Sequence, residues 1–280
     1  FMFNLSVFTL VLLSFALGTC EYVIIGILPN IATDLNVPIT QAGLLISVFA
    51  VVYSIGAPVI TAFLSRFPRH KTMLTLIFLF IVGNIACMTA GSYAMMVASR
   101  VFLAAVSSAT ISISMTFAPD VAMRKYTSSV ISLIFAGFNI ASVVGVPFSM
   151  LITQFASWRA AFAFITIVSI ILFILVLKRL PKKSMPQTSN LKGQLVLLTD
   201  KRIIMAASAM ILSGSASYCF YTYLTPILAE KLALPEDMLS LAFIIFGIAA
   251  IISNLTSPFL NRLGGMRNLW IVFALQAIAS

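Results

Sequence analysis

Two charged side chains, Glu21 and Arg100, interrupt long apolar runs of this sequence and are its strongest candidates for proton chemistry. A charge at the centre of a membrane helix costs about 2.5–3.5 kcal/mol, so such residues usually face protein or a water-filled cavity. Burial favours the neutral form of an acid, whereas a nearby guanidinium favours its carboxylate form. A rearrangement that changes the distance between Glu21 and Arg100 is therefore expected to load or release a proton. A structural ion pair, or a snorkelling Glu21, is the alternative interpretation.

The runs that hold these residues have the length and composition of membrane-spanning helices. Of 280 residues, 61% are hydrophobic and 9% are charged, a balance that excludes a water-soluble globular surface. Apolar runs of about 20 residues recur along the chain and match a hydrocarbon core of about 30 Å. We therefore predict an all-α membrane protein with about eight complete transmembrane helices and a partial ninth. The predicted helices lie at about 5–28, 41–64, 72–90, 94–117, 128–152, 159–180, 203–226 and 238–261, with the partial helix from 268.

The positions of Glu21 and Arg100 along their helices are compatible with direct contact. If the first helix ends near Pro29, Glu21 lies roughly 12 Å below that end, and Arg100 lies roughly 9 Å below the same membrane face. Helical spacing places Gly18 on the face of Glu21, and Ser107 on the face of Arg100. Both faces are small and polar, which predicts a wet cavity between the two helices.

Candidate cargo-contacting residues follow from the same helical spacing. Ser107 extends the polar face of the fourth helix, and Tyr218 and Tyr221 share one face of the seventh. An aromatic wall of this kind suits a small, partly apolar compound. An interfacial aromatic belt is the alternative interpretation for the two tyrosines.

The basic residues indicate how the chain is oriented in the membrane. Fourteen of the 17 Lys and Arg residues fall in loops on one side if the amino terminus is cytoplasmic, as the positive-inside rule requires. They form short clusters without the continuous basic face that nucleic acid binding needs. The longest polar interruption, a basic linker at 181–202, divides a six-helix bundle at 1–180 from an incomplete bundle at 203–280. The run from 268 is too short to cross a bilayer, so we expect further helices beyond this sequence.

Motifs for other classes of function are missing from the sequence. It has no nucleotide-binding loop, no paired carboxylates inside an apolar run and no metal-spaced histidine cluster. We therefore predict no catalytic residues, no metal and no other cofactor, and a protein that is not an enzyme. The lone histidine, His70, is expected to be solvated in a basic turn. A scaffold or receptor would need a large loop or terminal domain, which these 280 residues do not include.

Five stretches of the first six predicted helices together carry a family pattern. They are EYVIIGILPNIATDLNVPITQAGLLISVFAVVYSIGAP, SRFPRHK, SRVFLAAVSSA, GFNIASVVGVP and SWRAAF. These stretches resemble the major facilitator superfamily, in particular its bacterial branch of drug-proton antiporters, which also includes sugar and purine exporters. The resemblance extends over essentially the whole sequence. It implies a helical bundle of twelve helices in two six-helix halves, with cargo bound between the halves and released by rocking.

The turn after the second helix is similar to the family's conformational loop. Ser65 stands where the family usually has aspartate, and Pro68 stands where it usually has glycine, while the basic part of the loop is kept. The residues that match the conformational loop are Ser65, Arg66, Arg69 and Lys71.

The resemblance also implies roles for residues inside the helices. Glu21 and Arg100 match the positions that the family associates with proton coupling. Gly137, Gly145 and Pro147 match the antiporter motif of the fifth helix. A small-residue stripe that serves helix packing alone is the alternative interpretation of this motif.

Together these matches favour export by antiport over uptake by symport. The leading hypothesis is a monomeric, proton-coupled exporter of a small, partly apolar compound in the bacterial inner membrane, with a cytoplasmic amino terminus. Its partners would be the cargo, protons and the lipid bilayer. An exporter of a defined metabolite, such as a sugar or a purine, is the alternative. A chain that lacks the remaining helices in the cell is expected to be incompetent for transport.

Overall fold

The computed structural model describes residues 4–123 and 126–182, together with individual residues between 200 and 245. The chain divides into two compact units, Phe1–Leu195 and Val196–Ser280. In the second unit, the individually described residues are helical apart from Asp200. The helices predicted there at 203–226, 238–261 and from 268 therefore fall mostly outside the described residues.

Residues 4–123 and 126–182 form six long helices and one short one. Each long helix is apolar enough and long enough to cross a membrane, which confirms the six spans predicted for this part of the sequence. The described residues include no strand. The helices are α1 Leu5–Asp34, α2 Ile39–Leu64, α3 Arg69–Met88, α4 Tyr93–Thr116, α5 Ala118–Val121, α6 Thr127–Phe155 and α7 Trp158–Arg179.

The first helix continues past the residue that was expected to end it. Pro29 lies inside α1, which runs on to Asp34. A proline removes one backbone hydrogen bond and crowds the carbonyl four residues earlier, but membrane helices tolerate it because neighbouring groups satisfy the freed backbone. The helix ends where Asn36 adopts a φ of 52°. The Val37 N–H then bonds the carbonyl of Ala32 at 3.0 Å, the pattern of a Schellman cap with asparagine in the left-handed position. The predicted end near Pro29 is therefore wrong by about one helical turn.

The third helix begins earlier than the sequence indicated. Pro68 precedes it with a φ of −58°, a value already suited to a helix start. Its carbonyl accepts the Thr72 N–H at 3.0 Å. The basic residues Arg69 and Lys71 consequently lie in the first turn of α3, and not in a free loop.

The first helix lies at the centre of its unit. It contacts α2, α4, α6 and α7, and its buried residues run from Val7 to Ala32 around the helix. A helix that is apolar on all sides is typical of such a position. In contrast, α2 exposes an apolar stripe at Val51, Ile55 and Val59. An exposed stripe of this kind is compatible with lipid as the surrounding solvent.

The tightest packing joins α1 to α6. A β-carbon on Gly137 would lie 2.5 Å from the carbonyl oxygen of Val11, and one on Gly18 would lie 2.8 Å from the β-carbon of Ala141. Neither separation is open to a real side chain, so glycine at these two positions allows the backbones to approach. Small residues at a crossing are the usual means of close packing between membrane helices.

Polar contacts tie three helices together at one end of the bundle, which we call the Arg159 end. Arg159 Nη1 and Trp158 Nε1, at the start of α7, donate to the same carboxylate oxygen of Asp34, at 2.7 and 3.2 Å. Arg159 Nη2 also donates to the carbonyl of Ala90, just after α3, at 3.1 Å. The carboxyl end of α1 is thus fixed against α3 and α7. The opposite end of the bundle is called the Arg69 end below.

Candidate functional site

The structure brings Arg100 of α4 against the backbone of α1 at Cys20 and Glu21. Arg100 is fully buried. Its Nη1 donates to the carbonyl of Cys20 at 2.8 Å, and its Nη2 donates to the carbonyl of Glu21 at 3.4 Å. The guanidinium carbon also lies 4.0 Å from the ring centroid of Phe49 on α2, within the range of a cation–π contact. One cation therefore joins α4, α1 and α2.

Glu21 is only partly buried, in contrast to Arg100. Its carboxylate is close enough to Tyr53 on α2 to interact with it electrostatically. The carboxylate also interacts electrostatically with the thiol of Cys20. The described contact with Arg100 uses the backbone carbonyl of Glu21. The backbone of Glu21 thus contacts the buried cation, while its side chain keeps some access to its surroundings.

A set of four aromatic side chains lies beside this acid, and we call it the aromatic cluster: Tyr22, Phe49, Tyr53 and Phe138. Tyr22 meets Phe138 edge to face, with centroids 6.0 Å apart. Tyr53 lies 6.3 Å from Phe138 and stacks on Phe49 at 5.9 Å. These spacings are those of attractive aromatic pairs. Sequence reasoning missed this cluster, because its members come from α1, α2 and α6.

Buried polar groups extend the site from Arg100 towards α3. The thiol of Cys20 donates to the side-chain oxygen of Asn84 at 3.6 Å. Asn84 in turn donates to the carbonyl of Phe80 at 2.8 Å, and it is fully buried. A buried amide costs stability unless it is hydrogen-bonded. The chain Arg100, Cys20, Asn84 therefore ties α4, α1 and α3 together at one level.

The four residues assigned to the conformational loop occupy different environments. Arg66 and Lys71 are exposed, and Ser65 caps α2 by donating to the carbonyl of Ala62 at 2.7 Å. Arg69 is buried and forms an ion pair with Asp120 of α5 at 3.0 Å.

Arg69 has further partners beyond this ion pair. It donates to the carbonyl of Thr116, and its guanidinium lies 5.7 Å from the ring centroid of Phe117. Sequence reasoning did not connect Arg69 with Asp120, because α5 is too short to leave a periodic pattern. The loop is thus attached to the end of α4 through one arginine.

His70 is buried, with 6% of its surface exposed, so the expectation that it is solvated is wrong. The early start of α3 places the ring in the first helical turn, where it hydrogen-bonds the backbone of Val176 on α7. This contact packs α3 against α7 at the Arg69 end. His70 therefore serves the packing of these two helices.

The three residues of the antiporter motif lie on α6 with unequal space around them. Gly137 leaves no room for a side chain next to Val11, whereas a β-carbon on Gly145 would meet Thr19 at an ordinary 3.5 Å. Pro147 lies inside the helix and is buried. Close packing against α1 therefore requires glycine at position 137, whereas it does not require glycine at position 145.

Of the three candidate cargo-contacting residues, the structure describes Ser107. Ser107 is fully buried, and its hydroxyl has no hydrogen-bond partner among the described residues. Tyr218 and Tyr221 lie outside the described residues. Within the described ranges, no group of three His, Cys, Asp or Glu side chains is placed to hold a metal ion.

Comparison with known proteins finds relatives that are named as transporters or as a drug resistance protein. The family model of the Major Facilitator Superfamily matches residues 10–280. The uncharacterized MFS-type transporter YtbD of Bacillus subtilis is 35% identical, over 95% of this chain and 67% of that protein. A chloramphenicol resistance protein of Streptomyces lividans is 27% identical, over 83% and 60% of the two chains. A probable sugar efflux transporter of Mannheimia succiniciproducens is 24% identical, over 95% and 67%. The chain thus spans about two thirds of the length of these relatives.

The fold is shared with solved transporter structures. One of them is a bacterial homolog of the human lysosomal transporter Spinster, in an inward-facing and occupied conformation. It matches with a TM-score of 0.75 at 14% identity, over 94% of this chain and 62% of that chain. At this level of identity the likeness concerns the arrangement of helices alone.

Proposed function

The chain belongs to the major facilitator superfamily, and from this premise we propose that it exports a small, partly apolar compound by proton antiport with alternating access. Relatives whose names describe drug resistance and efflux support the direction of transport. The proposal includes the bacterial inner membrane as location, a cytoplasmic amino terminus and a monomeric state. Bundles of this family release cargo by rocking of two halves around a site near the bilayer midplane.

The observation that carries the proposal is the contact of buried Arg100 with α1 at Glu21. A partly buried acid beside a fixed cation has two competing influences on its proton, since burial favours the acid form and the cation favours the carboxylate. A small change in hydration or distance therefore shifts the balance. Rocking of α1 would change both, and so would couple proton release to the access of the cavity.

Competition between proton and cargo follows from the position of the aromatic cluster. Tyr22 and Tyr53 adjoin the acid, so a compound stacked on these rings would lie beside Glu21. Antiport requires proton and cargo to exclude each other, so a cargo stacked here would be bound while Glu21 is a carboxylate and released when the acid takes up a proton. We propose that cargo and solvent occupy this place in alternation, and that exchange between them drives the proton step.

The aromatic cluster also bears on the class of cargo. Four ring faces and edges suit a compound with an aromatic or apolar part. Export of a sugar or a purine is the second candidate, and the sugar efflux relative favours it. Counterflow of chloramphenicol, a hexose and a purine base through the reconstituted protein separates the two. Movement of the hexose or purine alone would select the second candidate.

The proton step is tested with the full-length protein in liposomes that carry a pH gradient. We expect acid-loaded vesicles to accumulate added cargo, and we expect Glu21→Gln to abolish this accumulation while cargo-for-cargo exchange continues. Continued exchange shows that the variant is folded. Asp34→Asn is the matched control, because it makes the same change at a carboxylate of the Arg159 end. Accumulation by Glu21→Gln at the level of the unsubstituted protein would refute the proposal.

A further inference from the structure

An apolar groove runs between α6 and α7, with α1 as its floor. Its volume is about 320 Å³, and its lining includes Val144 of α6 and Val168 and Leu175 of α7. Thr19, on the floor, donates its hydroxyl to the carbonyl of Phe15 at 2.8 Å. The groove therefore offers almost no free hydrogen-bonding group. Its occupant must be hydrocarbon, since a polar group placed there would lose its partners.

The open side of this groove faces the surroundings of the bundle. Val144, Phe164 and Ile171 line the groove and are 45%, 38% and 53% exposed. In a protein whose long helices span a membrane, these surfaces face lipid. α6 and α7 also contact each other less than each contacts α1, and they meet at Phe148 and Phe164, whose ring centroids are 4.8 Å apart.

The length of the groove corresponds to one leaflet of a bilayer. Its α7 wall extends from Phe164 to Leu175, a distance of roughly 16 Å at 1.5 Å per residue. The hydrocarbon core of a bilayer is about 30 Å thick. A single acyl chain of one leaflet therefore matches the groove in length.

Two basic residues continue the groove at the Arg69 end. Residues that line it on α7 recur at intervals of three or four, as in Val168, Ile171 and Leu175. The next positions on that face are Lys178 and Arg179, and both are exposed. The dipole of a helix end favours cations there by itself, but it does not require them to follow an apolar groove. Basic side chains beside a membrane attract anionic lipid headgroups.

We propose that this groove binds one acyl chain of an anionic phospholipid, whose headgroup phosphate is held by Lys178 and Arg179. The lipid would fill the space between α6 and α7 and support the packing of both on α1. The leaflet is the one next to the Arg69 end. The inference concerns lipid and is independent of the compound that the protein transports.

Native mass spectrometry of the purified, delipidated full-length protein tests headgroup recognition. Phosphatidylglycerol and phosphatidylcholine with identical acyl chains are titrated separately. We expect one phosphatidylglycerol to be retained, about thirtyfold more tightly than phosphatidylcholine if each basic residue contributes as juxtamembrane ones do. The double variant Lys178→Gln with Arg179→Gln should bind both lipids equally. Equal binding by the unsubstituted protein, or a preference that survives the double variant, would overturn the proposal.

A second pair of variants tests the groove itself. Val168→Trp fills it and should remove the retained lipid, while Ile174→Trp, on an exposed part of α7 outside the groove, should retain it. Ile171→Trp at the mouth of the groove replaces the first variant if that one does not elute as a folded protein. Lipid retention by a folded groove-filling variant would exclude this site. Displacement of the lipid by an exported compound would assign the groove to cargo and contradict the lipid assignment.

Discussion

At the residue scale, the contacts of Arg100 depend on the shape of its guanidinium as much as on its charge. The group lies between the carbonyl oxygens of Cys20 and Glu21 and the ring of Phe49. A planar guanidinium can donate along its edge and stack on its face at the same time. A lysine ammonium is a compact point charge on a flexible stem and cannot do both.

We therefore expect Arg100→Lys to lower the free energy of unfolding by about 2 kcal/mol, because hydrogen bonds from charged groups contribute about 1.5–3 kcal/mol. Thermal unfolding in detergent measures the change. Arg159→Lys is the matched control, since that side chain is 33% exposed and its ion pair should contribute less than about 1 kcal/mol. Equal losses in the two variants would show that burial of Arg100 does not matter.

The two charged residues of the site could be predicted from the sequence, and their neighbours could not. Glu21 and Arg100 stand out because a charge inside an apolar run is rare. Phe49, Tyr53 and Phe138 belong to a chain with 23 Phe and 7 Tyr, so no local pattern marks them. Their meeting depends on how α2 and α6 cross α1. The carbonyl acceptors of Arg100 likewise leave no trace in a sequence, since every residue has one.

At the scale of helices, the α1–α6 interface is tight at some positions and relaxed at others. Gly137 faces a backbone oxygen that cannot move aside, whereas Gly145 faces Thr19 at van der Waals distance. Helical spacing indicated both glycines as one stripe. Only the position of the neighbouring backbone distinguishes a glycine that is required from one that is tolerated.

We expect Gly137→Ala to destabilise the protein by about 1–3 kcal/mol, the usual cost of overpacking. Gly145→Ala makes the same change where a β-carbon would meet Thr19 at an ordinary 3.5 Å, and it should alter stability by less than about 0.5 kcal/mol. Midpoints of thermal unfolding in detergent compare the two variants. A cost for Gly145→Ala as large as that for Gly137→Ala would contradict the geometry of this interface.

The bounds of helices illustrate a second limit of sequence reasoning. Hydropathy located all six described spans, since each apolar run matches the thickness of a bilayer. Proline was interpreted as the end of α1, but Pro29 remains inside it and Asn36 ends it. A proline inside a membrane helix removes one hydrogen bond and bends the helix, while a left-handed residue redirects the chain. The sequence could not show which of these two would apply.

At the scale of the molecule, charge is distributed unequally over the two ends of the first unit. The Arg69 end holds exposed basic residues, while Arg159 is paired with Asp34 at the opposite end. Among the described residues, the exposed basic ones at the Arg69 end are Arg66, Lys71, Lys178, Arg179 and Lys182. Such an asymmetry favours the Arg69 end as the cytoplasmic one.

We expect cysteine labelling in intact cells to reveal this orientation. Arg66→Cys at the Arg69 end should react with a membrane-impermeant maleimide only after the membrane is opened, because the positive-inside rule places it in the cytoplasm. Gly91→Cys, exposed at the Arg159 end with no neighbour within 4 Å, should react in intact cells. Both substitutions are made in a Cys219→Ser background, because Cys219 is exposed whereas Cys20 and Cys87 are buried. The reverse pattern would invert the proposed topology.

The acceptors that Arg100 uses on α1 have a consequence for mutational scanning. The two oxygen acceptors are main-chain atoms of Cys20 and Glu21, which remain whatever side chain occupies the position. Only the longer contact of Arg100 Nη1 with the Cys20 sulfur, at 4.0 Å, depends on a side chain. A scan of α1 would therefore never delete this anchor, and the importance of the contact would show only from the α4 side. The same arrangement lets the acid vary in an evolving lineage while the scaffold around it is retained.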